Sequence, residues 1–378
     1  MSDQKTKVVV IGAGPGGYAA AFRSADLGCE VTLIDERDTL GGVCLNEGCI
    51  PSKTLLHLAE FIQEYKTSHE FGFSGVISND KLLLNKTREY KNNIINSLTS
   101  GLGNIASRRK VKHVKGYAKL ISDTEVSVNG VTINFDYAII AVGSSPVSLP
   151  NSPINKRIWT STEALELREI PDSLTIIGGG IIGLEMATIY AALGSLINII
   201  ELSNDLLPDF DKKHASIVKK SLIEKGCKFY FNTNVLKIET LPNKLTIHCK
   251  NDSSFAIDSD IVLSSIGRKS NAGKIGLENT LMTLEKGDII PVDAQCRTNI
   301  SNIFAIGDVT GMPMLAHRAT HQGKIVAEVI SGLKHKFSNE MIPKVAYTSP
   351  EIASVGLSES KNDLGIKIKN TSFPWMAS

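Results

Sequence analysis

Apolar residues along the chain gather in short β-branched runs that end in glycines and give way to helical spacing. Val8 to Ile11 is the first such run; a helical pattern from Tyr18 to Leu27 and a strand from Val31 to Ile34 complete a β-α-β unit. The succession returns at Leu174 to Ile177, with a helix from Leu184 to Leu193 and a strand from Ile197 to Ile200. Solenoid repeats recur every 20–50 residues or so, and these copies stand much farther apart. The pattern therefore predicts an α/β fold with two separate Rossmann-like nucleotide domains. Between the copies, Lys81 to Arg109 is polar with helical character, and Val111 to Phe135 alternates like antiparallel strands turning at Asn129 and Gly130. A first boundary is expected within Pro146 to Pro153. Further strands are predicted near Lys228 to Phe231, Leu236 to Glu239, Leu245 to Lys250 and Ile261 to Ile266, before a third glycine-rich stretch, Ile303 to Gly311. From Pro343 a last segment, with Val345 to Tyr347 and Ile366 to Phe373, is too short for a core of its own.

A chain of 378 residues has room for two or three domains. Its net charge of only +2 gives no reason to expect nucleic acid or an anionic membrane as partner. Lys5, Lys7 and the run after them superficially match a signal peptide, but Gly12, Gly14, Pro15, Gly16, Gly17 and Arg23 interrupt what should be a continuous apolar helix. No run approaches the 18 or so apolar residues that span a bilayer. Six cysteines are too few for a disulfide scaffold, and Cys29, Cys227, Cys249 and Cys296 lack metal-ligand spacing. A cytoplasmic, reducing location is expected.

Chemistry concentrates in Gly-Gly-Val-Cys-Leu-Asn-Glu-Gly-Cys-Ile-Pro-Ser-Lys at 41–53. A crosslink between Cys44 and Cys49 would close too short a loop to stabilise much, so its value is redox chemistry. If the segment after Cys44 opens a helix, its first-turn N–H groups favour a thiolate there, and Lys53 adds positive charge. Gly12, Gly14 and Gly17 form GxGxxG directly after a strand. Gly12 suits the tight turn, Gly14 the approach of a pyrophosphate, Gly17 close helix packing, and Asp35 a ribose 2′-hydroxyl. Gly178, Gly180, Gly183 and Glu201 repeat the set, and two such sites imply two cofactors in series. A carboxylate at Glu201 repels a 2′-phosphate, which favours NAD over NADP. Glu185, one turn into the second helix, is either a surface residue or a partner of Lys53 beside a flavin. Asp308, at the end of the strand from Asn302, is either a strand-end turn residue or a holder of a polyol chain. His317 and His321 are four apart on a predicted helix, but no third ligand accompanies them, so no metal is expected.

These motifs, with Ile303 to Asp308 and the Met314 to His317 segment, resemble the pyridine nucleotide disulfide oxidoreductases over the whole chain. The resemblance implies a FAD domain (1–148 and 271–342) with an NAD domain (149–270) inserted in it, followed by the start of an interface domain (343–378). Cys-Leu-Asn-x-Gly-Cys-Ile-Pro-Ser-Lys is similar to the members that oxidise a protein-bound dihydrolipoyl dithiol with NAD; glutathione-reducing members differ after the second cysteine. It implies Cys44 as interchange thiol, Cys49 as charge-transfer thiol, and Lys53 with Glu185 beside the flavin. Implied FAD contacts are Gly12, Gly14, Gly17, Asp35, Glu36, Lys53, Gly116, Ser144, Asp308, Met314, Leu315, Ala316 and His317. For NAD they are Gly178, Gly180, Gly183, Glu201, Val235 and Gly267. The implied partner is the lipoyl domain of a 2-oxo acid dehydrogenase complex, and the family is homodimeric.

Two departures stand out. Glu47 lies between the cysteines where the family usually has an apolar residue, and its carboxylate should raise the thiolate pKa modestly. Family members also continue past the last residue here to a His-Pro-Thr motif with a following Glu, whose His is the acid/base on the partner subunit. Without it the interface domain is expected to be incomplete and the dimer doubtful. Proton transfer, typically about 10²- to 10⁴-fold in rate, should be lost. Alternatives left open are a related flavin disulfide reductase with another substrate, and a flavin-binding remnant limited to NADH oxidation by artificial acceptors.

Overall fold

A computed structural model describes residues 5–72, 81–150, 152–339, 341–356 and 367–374. Five parallel strands form the first sheet, in the order Ile303–Ala305, Tyr137–Ile140, Lys7–Ile11, Glu30–Asp35, Lys112–Lys115. A parallel sheet must be covered on both faces, and alternation along the strands does this. Val8, Val10, Leu33, Ile139 and Phe304 bury one face under the helices α1 (Pro15–Asp26) and α8 (Ala316–Ile330), here numbered in chain order from α1 to α8. Val9, Ile11, Ile34, Ala138 and Ile140 bury the other against an antiparallel sheet of Ala118–Leu120, Glu125–Val128 and Val131–Asn134.

The second sheet is also five-stranded and parallel: Lys228–Tyr230, Leu196–Ile200, Ser173–Ile177, Ile261–Ser264, Ile158–Trp159. The chain builds all of it after leaving the first sheet at Ile140 and before returning at Ile303. Leu174, Ile176, Ile197 and Ile199 pack on one side with α6 (Ile181–Leu193) and α7 (Lys212–Glu224). On the other side lies an antiparallel sheet of Asn234–Thr240, Leu245–Lys250 and Ser254–Ser259. Each half thus sets a parallel sheet between helices and a smaller antiparallel one.

Among the contacts that join the halves, two are extensive. Leu55, Leu56 and Ile62 of α3 (Cys49–Thr67) share one core with Leu184, Ala187 and Tyr190 of α6, and Ala346 and Ile352 enter the same core. Ser144–Pro146 also pairs antiparallel with Arg268–Ser270, which follows the last strand of the second sheet.

Several expectations need correction. Lys112–Lys115 is a parallel edge strand of the first sheet, with Thr32 opposite Lys112, whereas an antiparallel strand was predicted. The helix α4 (Lys81–Arg108) carries the chain back across the sheet first, and alternation along a strand does not encode its direction. The antiparallel turn at Asn129 and Gly130 is present, with φ 51° and 78°. The strands Tyr137–Ile140, Ser144–Pro146, Ile158–Trp159, Ser254–Ser259, Arg268–Ser270 and Ile352–Ser354 have no counterpart in the expectations from sequence. Of the terminal segment, 357–366, including Ile366, and 375–378 lie outside the described residues; Lys344–Ala346 and Ile352–Ser354 form a hairpin.

Candidate functional site

Both glycine-rich turns have the same geometry. Gly12 sits at φ 102° with space for no side chain, since a Cβ would lie 2.4 Å from the Ala141 carbonyl oxygen. A Cβ on Gly17 would lie 1.8 Å from the Gly12 oxygen, and one on Gly183 2.2 Å from the Gly178 oxygen, so both hold helix against strand. Gly14 and Gly180 are different. Each is the N-cap of its helix, has no atom within 4 Å of an added Cβ, and leaves the first-turn N–H groups without a side-chain cap. Such ends bind anions.

The acids at the end of the second strand of each unit reach back to these turns. Asp35 accepts from the Ala13 N–H at 2.7 Å and the Arg37 N–H at 2.9 Å. Glu201 accepts from the Gly179 N–H at 2.6 Å and the Ser203 N–H at 2.7 Å. A carboxylate has about four acceptor sites, so each can latch its loop and still take a ribose hydroxyl.

The redox segment rests on the first turn. The Gly41 N–H donates to the Ala13 oxygen at 2.9 Å, and a Cβ on Gly42 would lie 2.6 Å from the Gly14 Cα. Cys44 and Cys49 form a disulfide with their Cα atoms 4.7 Å apart. The sequence reading placed the helix end after Cys44. Instead Cys44 lies inside the short α2 (Gly42–Glu47), Gly48 breaks the helix at φ −138° and ψ −105°, and the 19-residue α3 opens at Cys49. The helix terminus that favours a thiolate therefore serves Cys49.

Glu47 does not act alone on that thiolate. Its carboxylate meets Arg37 Nη2 at 3.0 Å. Burial works against the Arg37 charge, but Glu47, with Asp35 and Glu36, more than compensates and the guanidinium pKa rises. We expect Glu47→Val to move the thiol titration midpoint of the reduced protein by less than about 0.5 pH unit, because the charge it removes is already paired. Alkylation rate against pH measures this; a larger drop would show that Glu47 acts unscreened.

On the other side of the disulfide, Lys53 Nζ lies 3.3 Å from Glu185 Oε1. Glu185 is buried, at 4% exposure, on α6 of the second unit. Ser144 Oγ donates to Asp308 Oδ2 at 2.5 Å, and Arg268 donates from Nε to Ser144 Oγ and from Nη2 to the Ser144 oxygen, both at 2.7 Å. Burial lowers the Arg268 pKa, with Asp308 and Glu47 opposing. Met314 and Leu315 lead into α8, whose first residues are Ala316 and His317. His317 Nε2 is 2.8 Å from the Pro343 oxygen, and the His321 ring faces Phe337.

One cavity of about 950 Å³ connects most of these groups. Its wall includes Gly12, Gly14, Asp35, Glu36, Cys44, Cys49, Lys53, Gly116, Ser144, Gly180, Glu185, Gly267, Asp308 and Met314 to His317. Gly17, Gly178, Gly183, Glu201 and Val235 are not part of that wall. Val235 packs on the cluster around Ile177 and Ile247. Arg37, Arg268 and Tyr347 line the cavity although sequence reasoning passed over them. The partners of Arg268 and Tyr347 are remote in sequence, and Arg37 meets Glu47, ten residues on, only through the fold of the loop between them; only the place of Arg268 directly after Gly267, beyond a strand end, was a usable signal.

Parallel sheets, paired glycine turns and a disulfide between them define a nucleotide-linked disulfide oxidoreductase. The chain belongs to the pyridine nucleotide-disulphide oxidoreductase family, whose model matches residues 6–323. It is 48% identical over 386 residues to the dihydrolipoyl dehydrogenase of Buchnera aphidicola subsp. Schizaphis graminum, covering 99% of this chain and 80% of the relative. The enzymes of the same name from Vibrio cholerae and Bacillus subtilis are 45% and 40% identical, with the same coverage. Among solved structures, the HOCl-induced flavoprotein disulfide reductase RclA from Escherichia coli superposes with a TM-score of 0.82 at 27% identity, over 94% of this chain and 78% of that one. Among the described residues no helix is long and apolar enough to cross a membrane.

Proposed function

We propose that the chain oxidises a protein-bound dihydrolipoyl dithiol to its disulfide with NAD as acceptor, through Cys44 and Cys49 and a bound FAD. The observation that carries this reading is that one continuous cavity touches Gly14 of one turn, the Cys44–Cys49 disulfide, and Gly180 of the other. Identities of 40–48% to dihydrolipoyl dehydrogenases, against 27% to the HOCl-induced reductase, favour a lipoyl dithiol over another substrate.

In this reading 1–148 and 271–342 form the FAD domain, 149–270 is the inserted NAD domain, and 343–378 belongs to an interface domain. The residues fit a flavin nucleotide: an uncapped helix end at Gly14 for the pyrophosphate, Asp35 and Glu36 at the ribose, and Asp308, held by Ser144, for the polyol. FAD, when bound, accepts two electrons from the thiols and delivers them to NAD. A substrate thiolate attacks one sulfur of the Cys44–Cys49 bond, and its second thiol then releases Cys44. The products are a lipoyl disulfide, Cys44 as a thiol carrying the proton of the second substrate thiol, and Cys49 as a thiolate at its helix end, the first substrate proton having gone to solvent. Lys53, paired with Glu185, keeps a positive charge by the thiolate. The implied partner is the lipoyl domain of a 2-oxo acid dehydrogenase complex.

Anaerobic mixing of the FAD-loaded protein with dihydrolipoamide and NAD should form NADH. A chain that reduces other disulfides with NADH and leaves dihydrolipoamide untouched contradicts the assignment. NADPH should serve at least about tenfold worse than NADH, because a 2′-phosphate would face Glu201. Glu201→Ala should narrow that ratio and raise the KM for NADH, since the Gly179 loop loses its latch; an unchanged ratio counts against the role of Glu201.

A further inference from the structure

We propose that Tyr347 is a positioning residue that holds the Lys53 ammonium beside the redox centre. The proposal rests on the flavin reading of the cavity and goes beyond it. Tyr347 follows the strand Lys344–Ala346, and its flanking residues Ala346 and Thr348 are buried, at 0% and 3% exposure. Its backbone is thus anchored while its side chain lines the cavity.

Four contacts meet around the Lys53 ammonium and Glu185 Oε1. The Tyr347 N–H donates to Glu185 Oε1 at 3.2 Å, the same oxygen that Lys53 Nζ meets at 3.3 Å. The Lys53 Nζ sits over the Tyr347 ring, 4.0 Å from its centroid, and also donates to Ser52 Oγ at 3.3 Å. A lysine is a point charge on a flexible stem, and one ion pair at this length leaves its direction loosely defined. The ring face adds an attraction that exists only for the charged nitrogen. Glu185 supplies the opposite charge, Ser52 Oγ accepts a hydrogen bond, and the Tyr347 ring covers a further side of the ammonium, whose side chain stays 35% exposed. The residue so joins α3, α6 and the 344–354 hairpin at one ammonium. Its role is to orient a charge where thiolate and reduced-flavin charge develop, which is where preorganisation counts most.

Substituting the side chain leaves the Tyr347 N–H in place, so the ring is tested alone. Two variants, Tyr347→Phe and Tyr347→Leu, are compared with the unmodified chain, with Tyr347→Met replacing the leucine variant should that one not fold. Loaded with FAD and equilibrated anaerobically with a fixed NADH/NAD ratio, the phenylalanine variant should keep the reduced-to-oxidised flavin ratio. The leucine variant should shift it toward oxidised by at least about threefold. A leucine variant with full flavin content and an unshifted ratio overturns the proposal. In the flavin-free chain, amine acylation of Lys53 followed by peptide mass spectrometry reads the same contact. Labelling should quicken severalfold in the leucine variant only, and equal rates in all three chains also overturn it. Because that second readout needs no flavin, failure to bind FAD would sink the functional reading while leaving Tyr347 decided on its own.

Discussion

Cys49→Ser should abolish dithiol turnover, lowering it by at least about 10⁴-fold, the scale on which groups acting as a unit fail when one is removed. The exchange needs a sulfur–sulfur bond to attack and two thiols to share the electrons, and a serine oxygen offers neither. Cys44→Ser should be equally inactive, yet the two variants should differ in one respect. In Cys44→Ser the surviving thiol stands at the start of the 19-residue α3, so it should titrate below the ordinary cysteine value of about 8.5. In Cys49→Ser the surviving Cys44 is the third residue of the six-residue α2, too short a helix for much of a dipole, and should titrate closer to that value. Oxidation of NADH by a quinone, which bypasses the disulfide, should persist in both. Dithiol turnover in either variant, measured as NADH formation, would remove the disulfide from the pathway.

The second large effect separates two glycines three residues apart. Gly14→Val should leave the flavin-free chain about as stable as before, because φ is −67°, ψ is −177°, and nothing lies within 4 Å of the added Cβ. Flavin affinity should fall roughly 10- to 100-fold, since the side chain occupies the approach to α1 and displaces charge-assisted hydrogen bonds worth about 1.5–3 kcal/mol. Gly17→Ala is the smaller change and should act in the opposite way. Its Cβ would stand 1.8 Å from the Gly12 oxygen, so helix and strand must separate, at a cost of at least about 1–3 kcal/mol in the flavin-free protein. Thermal unfolding without flavin and a flavin titration distinguish them. A destabilised Gly14→Val with normal flavin affinity would reverse the assignment of the two positions.

How far these features could be read from the chain alone depends on how local they are. Gly12 and Gly178 were readable because a tight turn after a strand leaves glycine little competition, and the strand–turn–helix succession is contiguous. The helix break in the redox segment was also local, but its signal was misplaced. Pro51 suits a first helical turn and marks Cys49, not Cys44, as the helix start. The direction of Lys112–Lys115 was not encoded, since a parallel edge strand and an antiparallel one alternate alike. Arg268 and Ser144 are 124 residues apart, and Tyr347 and Glu185 are 162 apart; only the folded chain brings such pairs together. Glu47 shows the same limit from the other side. Its charge was visible, whereas the neutralising Arg37, ten residues earlier, needed the loop geometry to be seen.

Electrons should pass between NAD and the Cys44–Cys49 disulfide within one chain. The most direct test adds NADH anaerobically to the FAD-loaded protein, alkylates it, and locates the modified cysteines by mass spectrometry. NADH, a proton and the disulfide should yield NAD and two thiols, so Cys44 and Cys49 should both become alkylated only after NADH is added. A protein in which NADH is consumed and the flavin reduced, while Cys44 and Cys49 remain joined, would contradict the account.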